Sequence, residues 1–395
     1  MSSKYTPYAA TINELRKDNR LRKLKPMIPI NGAFILFEDE KLLSFCSHDY
    51  LGLADHPEIK KNAIKYLLQH GITTSTEAKD LYLACHQQLE TKLSKMFQRD
   101  SALFFSSRFE ANLTVFSTLG HENATIFIDE ACHPSILQGA LHSKARVQQY
   151  PHTRLDRLEH FLEDCQTATK IIVAESVFSL TSSIANLPTL IELSEHFDTL
   201  LIVDDSHAFG VAGVDGVGIA STLSEIDIIT GSFSKACGAY GGYVACSEII
   251  RDYLVNLAPV KTSYLFPPPI IGAIDASLDL IPQMEGERKQ LQQRSHWLRN
   301  ILKQNGFNLA KSNTPLISLL FDDSREVENL RSHLLRELIL VGPTRCFEGE
   351  EVSSRLNLAI NVCHMPDHLT RLVDAIKGWQ SSSIHGDSAV THAYL

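Results

Sequence analysis

The run LLIVDDSHAFG at residues 200–210 constrains this chain more than any other segment. Four consecutive apolar residues closed off by two aspartates read as a strand buried on both faces, as in a parallel sheet covered by helices. Asp204, Asp205, Ser206 and His207 then fall at the strand's C-terminal end, where open α/β sheets bind their ligands. A second run, TGSFSKACGAYGGYV at 230–244, repeats the arrangement, with Ile226, Ile228 and Ile229 leading into small residues around a single lysine, Lys235. An acid, an imidazole and a lysine are thereby delivered to one crevice whose small neighbours let a ligand approach the backbone closely.

The rest of the chain supports this architecture. Further strands are expected in ALFFS (102–106), TIFIDE (125–130), KIIVAES (170–176), DIITGS (227–232) and GYVACS (242–247), with helices such as HQQLETKLSKMF and LPTLIELSEHF between them. Alternation of this kind implies a mostly parallel sheet flanked by helices. Residues 1–45 read as an amphipathic helix followed by a hairpin that turns around Glu38 to Lys41. Residues 46–285 read as the large α/β domain, 286–380 as a smaller C-terminal α+β domain, and 381–395 as a poorly ordered polar tail. The charged segment 285–306 is expected to be a long solvated helix leading into the small domain.

Composition narrows the class of function. The chain has 395 residues, 44% of them hydrophobic and 21% charged, enough to bury a sizeable core. A net charge of −9 argues against a nucleic-acid surface, and the one basic stretch, at 16–25, reads as a solvated helix. Eight cysteines without a C-x-x-C pair suggest neither a zinc site nor a disulfide framework, which fits a reduced compartment. No apolar run approaches the length of a membrane span or a signal-peptide core, so a cytoplasmic protein without membrane or nucleic-acid partners is expected.

Residue types discriminate among ligands for the crevice. A dinucleotide fingerprint wants G-x-G-x-x-G opening a helix, but the glycines here run 210, 213, 216 and 218 behind two aspartates that repel a pyrophosphate. A metal site built on Asp204 and His207 has no further ligand at suitable spacing and leaves the lysine unexplained. Pyridoxal 5′-phosphate uses all three elements: a lysine for covalent attachment, a carboxylate for the pyridine nitrogen, and the hydroxyls of Thr230, Ser232 and Ser234 for phosphate. The competing reading makes DDSH a helix-capping turn and Lys235 a solvated loop lysine.

The order of motifs, from SHDYLGLADHPEI (47–59) through EACHPSILQGA, ESVFSLTSSIANL, VDDSHAFGVAGVDGVG and GSFSKACGAYGGYVA, resembles the α-oxoamine synthases over about residues 45 to 375. These are fold-type I pyridoxal-phosphate transferases. The resemblance implies that Lys235 holds the cofactor and acts as base, that Asp204 pairs with the pyridine nitrogen, and that His207 hydrogen-bonds the ring's phenolic oxygen. It also implies that His133 stacks on the ring, that Glu175 and Ser179 line the site, and that Ser232 binds phosphate. His133 sits in a His-Pro turn that equally suits a helix cap, and Glu175 equally suits a structural acid at a strand end. The implied reaction condenses a small amino acid, L-alanine first, with an acyl-CoA or acyl-carrier-protein thioester, with loss of carbon dioxide. A pimeloyl thioester, as in biotin synthesis, is the first expectation. Relatives using glycine, serine with long acyl chains, or aminobutyrate-type substrates are the alternatives, along with a divergent pyridoxal protein lacking acyl transfer. A homodimer is implied as well.

The chain departs from the family pattern at several positions. The phosphate turn expected as Ser-Gly-aromatic is Ser107-Arg108-Phe109, and Glu77 stands where an arginine is expected before His86. The strand expected to read Arg-Leu-Arg, whose second arginine grips the substrate carboxylate, reads Arg355-Leu356-Asn357. Strand periodicity puts Arg355 on the same side as Asn357, about 7 Å further along, as a candidate substitute. The Ser/Thr pair expected after Phe266 is replaced by prolines. His48, within the first motif, is a further candidate at the substrate end, and a surface or packing histidine is the competing reading.

Overall fold

The computed structural model describes residues 3–17, 21, 24–73, 81, 83–258, 266–342, 345–347 and 353–384. Glu77 lies outside them, as do half of the basic stretch 16–25 and residues 385–395 of the tail. The centre of the fold is a seven-stranded sheet. Its order is Ser101–Phe105, Gly242–Cys246, Ile228–Ser232, Leu200–Asp204, Thr169–Glu175, Ala124–Asp129 and Arg146–Tyr150. All neighbours pair in parallel except Gly242–Cys246, which is antiparallel to both of its partners. The strands Ala124–Asp129, Ile228–Ser232 and Gly242–Cys246 are buried along their whole length, as their unbroken apolar or small-residue runs require. All six expected strands are present, within a residue or so at either end. The seventh, RVQQY, was not foreseen, because it is an edge strand with only Tyr150 buried.

Two smaller sheets flank this one. The hairpin is formed by Phe34–Phe37 and Glu40–Ser44, with Glu38 and Asp39 both at positive φ as a tight two-residue turn demands. It gains the strand Ile28–Asn31 on one side and, in parallel, Ile339–Leu340 on the other. A C-terminal antiparallel sheet runs Asn308–Leu309, Leu316–Phe321, Ser353–Ala359 and Arg345–Phe347. The long helix is Glu285–Gln304, and its expected solvation is corrected: Arg288, Leu291, Ser295, Leu298, Arg299 and Leu302 form a buried stripe at helical spacing. Its arginines are used to satisfy carbonyls, Arg294 reaching Val362 O at 2.7 Å and Arg299 reaching Leu316 O at 3.2 Å. The last helix, Pro366–Ile384, continues four residues into the tail that was expected to be poorly ordered.

Two glycines lock the site loops together. Gly210, at φ +89°, would carry a Cβ 2.4 Å from that of Ala236, so the loop after Leu200–Asp204 rests directly on the loop that carries Lys235. Gly238, at φ +61°, would place a Cβ 2.4 Å from the backbone of Leu53 and Ala54, tying the same loop to the SHDYLGLA segment. Gly238→Ala combines a left-handed backbone with a backbone clash and is expected to cost about 2–5 kcal/mol of stability. Denaturant unfolding measures this, and a loss under about 1 kcal/mol would show that the two loops are not held as described.

Candidate active site

The strand ends deliver the chemistry to one side of the sheet. Asp204 closes Leu200–Asp204 and Glu175 closes the adjacent Thr169–Glu175, where the two are register partners. Arg108 opens the helix Arg108–Leu119, whose N-cap is Ser107: the Ser107 hydroxyl accepts the Glu110 N–H at 3.0 Å. Asn112 follows one turn later on the same helix face. Both reach the same carboxylate, Arg108 Nε donating to Asp204 Oδ2 at 2.6 Å and Asn112 Nδ2 donating to it at 3.0 Å. Ser206 N donates to Oδ1 at 3.0 Å. Arg108 Nη2 lies 2.8 Å from Glu175 Oε2, which also accepts the Ser179 N–H at 3.1 Å, while Glu175 Oε1 accepts the His133 N–H.

Burial and charge set the protonation states. Burial raises the Asp204 carboxyl, but the Arg108 charge and the donors from Asn112 and Ser206 outweigh it and hold the group at about 2. Glu175 is raised by its complete burial, Arg108 opposing this and the neighbouring Asp204 charge adding to it. Two buried acids, Asp204 and Glu175, thus share one guanidinium. His207 is pushed well below the ordinary histidine value by burial and by the Lys235 charge, so it is neutral. Its Nδ1 lies 2.9 Å from the Tyr50 hydroxyl. That phenol is buried with no other hydrogen bond among the described residues, so its proton goes to Nδ1 and the imidazole hydrogen sits on Nε2.

Above these groups lies a pocket of about 210 Å³. Lys235, His207, His133, Ser179, Arg108, Asn357 and His48 line it, together with Cys46 and Phe45. His48 stands edge-on to His207, ring centroids 5.1 Å apart. His133 caps the helix Pro134–Leu141, with Nδ1 accepting the Ser135 N–H, and it also lines the pocket. Asn357 faces Ser318 across the C-terminal sheet and accepts that hydroxyl at 2.5 Å. The substitute role expected for Arg355 is not supported, because Asn357 lines the pocket and Arg355 does not.

Four further residues stand apart from the pocket wall. Asp204 and Glu175 lie behind Arg108. Ser232 is buried at the end of its strand, its hydroxyl 2.8 Å from that of Ser234. The Phe109 side chain is 46% exposed, so only its backbone, in the first turn of the helix, is available to the site. Tyr50 and Asn112 were not foreseen as site residues, although Tyr50 lies inside the SHDYLGLA motif and Asn112 one helical turn beyond Arg108.

The pocket suits pyridoxal phosphate on two independent observations. It offers an amine, Lys235, beside a neutral imidazole, and the buried Ser179 hydroxyl has no hydrogen-bond partner of its own. A buried unpartnered hydroxyl in a pocket wall is costly unless a ligand completes it.

Comparison with known proteins agrees with this geometry. Residues 40–376 match the family model of class I and II aminotransferases. An 8-amino-7-oxononanoate synthase of Trichlorobacter lovleyi is 36% identical over 352 residues, covering 87% of this chain and 90% of its own. One of Lysinibacillus sphaericus is 33% identical over 371 residues, covering 90% and 93%. The solved structure of the Francisella tularensis 8-amino-7-oxononanoate synthase superposes with a TM-score of 0.74 at 26% identity, covering 87% of this chain and 99% of that one. Sphingomonas wittichii serine palmitoyltransferase superposes with a TM-score of 0.86 at 21% identity, covering 97% and 98%, which extends the likeness of fold across nearly the whole molecule. With its seven-stranded sheet, its strand-end lysine and relatives of this similarity along most of its length, the chain belongs to the class I and II aminotransferase family, with the fold-type I architecture.

Proposed function

We propose that this protein is a pyridoxal-phosphate-dependent acyltransferase of the α-oxoamine synthase type, joining a small amino acid to an acyl thioester with loss of carbon dioxide. The 8-amino-7-oxononanoate synthase reaction, with L-alanine and a pimeloyl thioester of CoA or a carrier protein, is the specific assignment. The observation that carries it is the gathering of Lys235, His207, His133 and Ser179 around one pocket in a chain 36% identical to a synthase of that name.

The cofactor supplies an electron-withdrawing ring that stabilises negative charge at the amino acid's Cα. Lys235, the amine in the pocket wall, would hold it covalently and would be the base for the amino acid's Cα proton. His207, oriented by Tyr50, would offer its Nε2 hydrogen to the cofactor. His133, its backbone pinned by Glu175, would be the side chain to pack against the cofactor. Ser179 and the N-terminal backbone of the helix Arg108–Leu119 would receive the phosphate. Asn357 offers its amide to the amino-acid carboxylate.

The protein works in the cytoplasm as a homodimer. Among the described residues no helix is long and apolar enough to cross a membrane. The dimer is supported by exposed apolar side chains in the N-terminal part of the chain: the helix Thr6–Lys17 has no buried residue, Tyr8 and Ile12 on it and Tyr5 just before it are exposed, and so are Met27, Ile28 and Ile30.

The test is to load the purified protein with pyridoxal phosphate and add alanine, glycine, serine or 2-aminobutyrate with pimeloyl-CoA, following free thiol. Thiol release that depends on alanine is expected. A visible cofactor band that responds to amino acids without any thiol release from acyl donors would overturn acyl transfer.

A further inference from the structure

The wall of the pocket contains Arg108 but neither Asp204 nor Glu175. Both oxygens of Asp204 are already engaged, Oδ2 by Arg108 Nε and Asn112 Nδ2 and Oδ1 by Ser206 N. Both oxygens of Glu175 are engaged by His133 N, Ser179 N and Arg108 Nη2. The guanidinium thus covers the two acids on the side that faces the pocket. It is itself 6% exposed and cannot leave without stranding two buried carboxylates. Only Nε is hydrogen-bonded to an acid, and Nη2, ion-paired with Glu175 at 2.8 Å, makes no hydrogen bond of its own, so the outer N–H groups of the guanidinium are the donors left for whatever enters the pocket.

We propose that Arg108, and not Asp204, meets the ring nitrogen of the bound cofactor, and that this nitrogen is therefore held unprotonated, as a hydrogen-bond acceptor. A guanidinium has five N–H donors, no acceptor, and does not lose its proton in proteins. A protonated pyridine nitrogen set against it would bring donor to donor and like charge to like charge, whereas a neutral one receives a charge-assisted hydrogen bond. Asp204 acts through Arg108, fixing the guanidinium plane together with Glu175. The backbone offers no resistance to arginine here: position 108 is an ordinary helical residue with negative φ, so glycine is not needed for conformation. The ring then withdraws electrons less strongly than a protonated one. This inference rests on the reading of the pocket as a pyridoxal-phosphate site.

The experiment is nitrogen NMR of the full-length protein loaded with pyridoxal phosphate labelled with ¹⁵N in the ring, where protonated and unprotonated pyridine nitrogens resonate in well-separated ranges. The wild-type signal is expected in the unprotonated range at neutral pH, and Arg108→Gly is expected to move it to the protonated range by uncovering Asp204. A wild-type signal in the protonated range overturns the proposal by itself, even if Arg108→Gly fails to fold. An Arg108→Met variant whose signal stays in the unprotonated range also overturns it, because it shows that the arginine does not set the state. Failure of the wild-type protein to develop a visible band on loading is a different result: it removes the cofactor reading on which the proposal stands.

Discussion

Replacing Lys235 by alanine is expected to lower turnover by roughly 10³-fold or more, because one side chain supplies both the covalent attachment and the base. No other pocket residue can take its place. The wall contains no second lysine, His207 is neutral with Nδ1 occupied by Tyr50, and His133 has its Nδ1 engaged with Ser135. The guanidinium of Arg108 cannot act as a nucleophile while protonated. Stability is expected to change little, since the loop that carries Lys235 is held by the close backbone approaches at Gly210 and Gly238. Borohydride reduction followed by peptide mass mapping provides the check: the wild-type protein retains cofactor mass on Lys235, and the variant retains none. Cofactor mass on another amine of the variant, with turnover preserved, would remove Lys235 from its assigned role.

The strands and the strand-end residues were readable in the sequence because burial on both faces leaves no freedom: LLIV and TIFI cannot be placed elsewhere in a soluble fold. The edge strand Arg146–Tyr150 left no such trace, since its outer edge tolerates polar side chains. The helix Glu285–Gln304 shows the opposite failure. Its arginines suggested solvation, yet Arg288 and Arg299 are buried because their guanidinium groups reach backbone carbonyls at the ends of neighbouring elements. A pattern of charge does not report which carbonyls a fold leaves unpaired.

The same limit applies within the site. Asp204 and Lys235 were identifiable by type and position, but the interposition of Arg108 was not, because it depends on side-chain geometry between elements 96 residues apart. Likewise Arg355 and Asn357 are equivalent by strand period. Only the packing of the C-terminal sheet against the Ser179 and Lys235 loops decides that Asn357 reaches the pocket.

That placement gives the second large expectation: Asn357→Arg should lower the Michaelis constant for the amino acid about tenfold with kcat little changed. Asn357 Oδ1 is held by the Ser318 hydroxyl, which in turn contacts Ser182, so the amide is fixed with its Nδ2 donors toward the pocket. A fixed neutral amide gives a carboxylate a hydrogen bond worth about 0.5–1.5 kcal/mol, whereas a charged donor gives about 1.5–3 kcal/mol. The difference, about 1.4 kcal/mol, is a factor of ten. The carboxylate contact is made in both the bound and reacting states, so the change should fall on KM rather than kcat until the carboxylate itself departs. Arginine also removes the Asn357 acceptor of the Ser318 hydroxyl, leaving it Ser182 alone, and pairing the change with Ser318→Ala separates that cost from the gain at the carboxylate. Measured with alanine and pimeloyl-CoA, a KM that rises in the double variant would mean that the substrate carboxylate does not approach Asn357, and that the recognition end of this pocket is built around a different group.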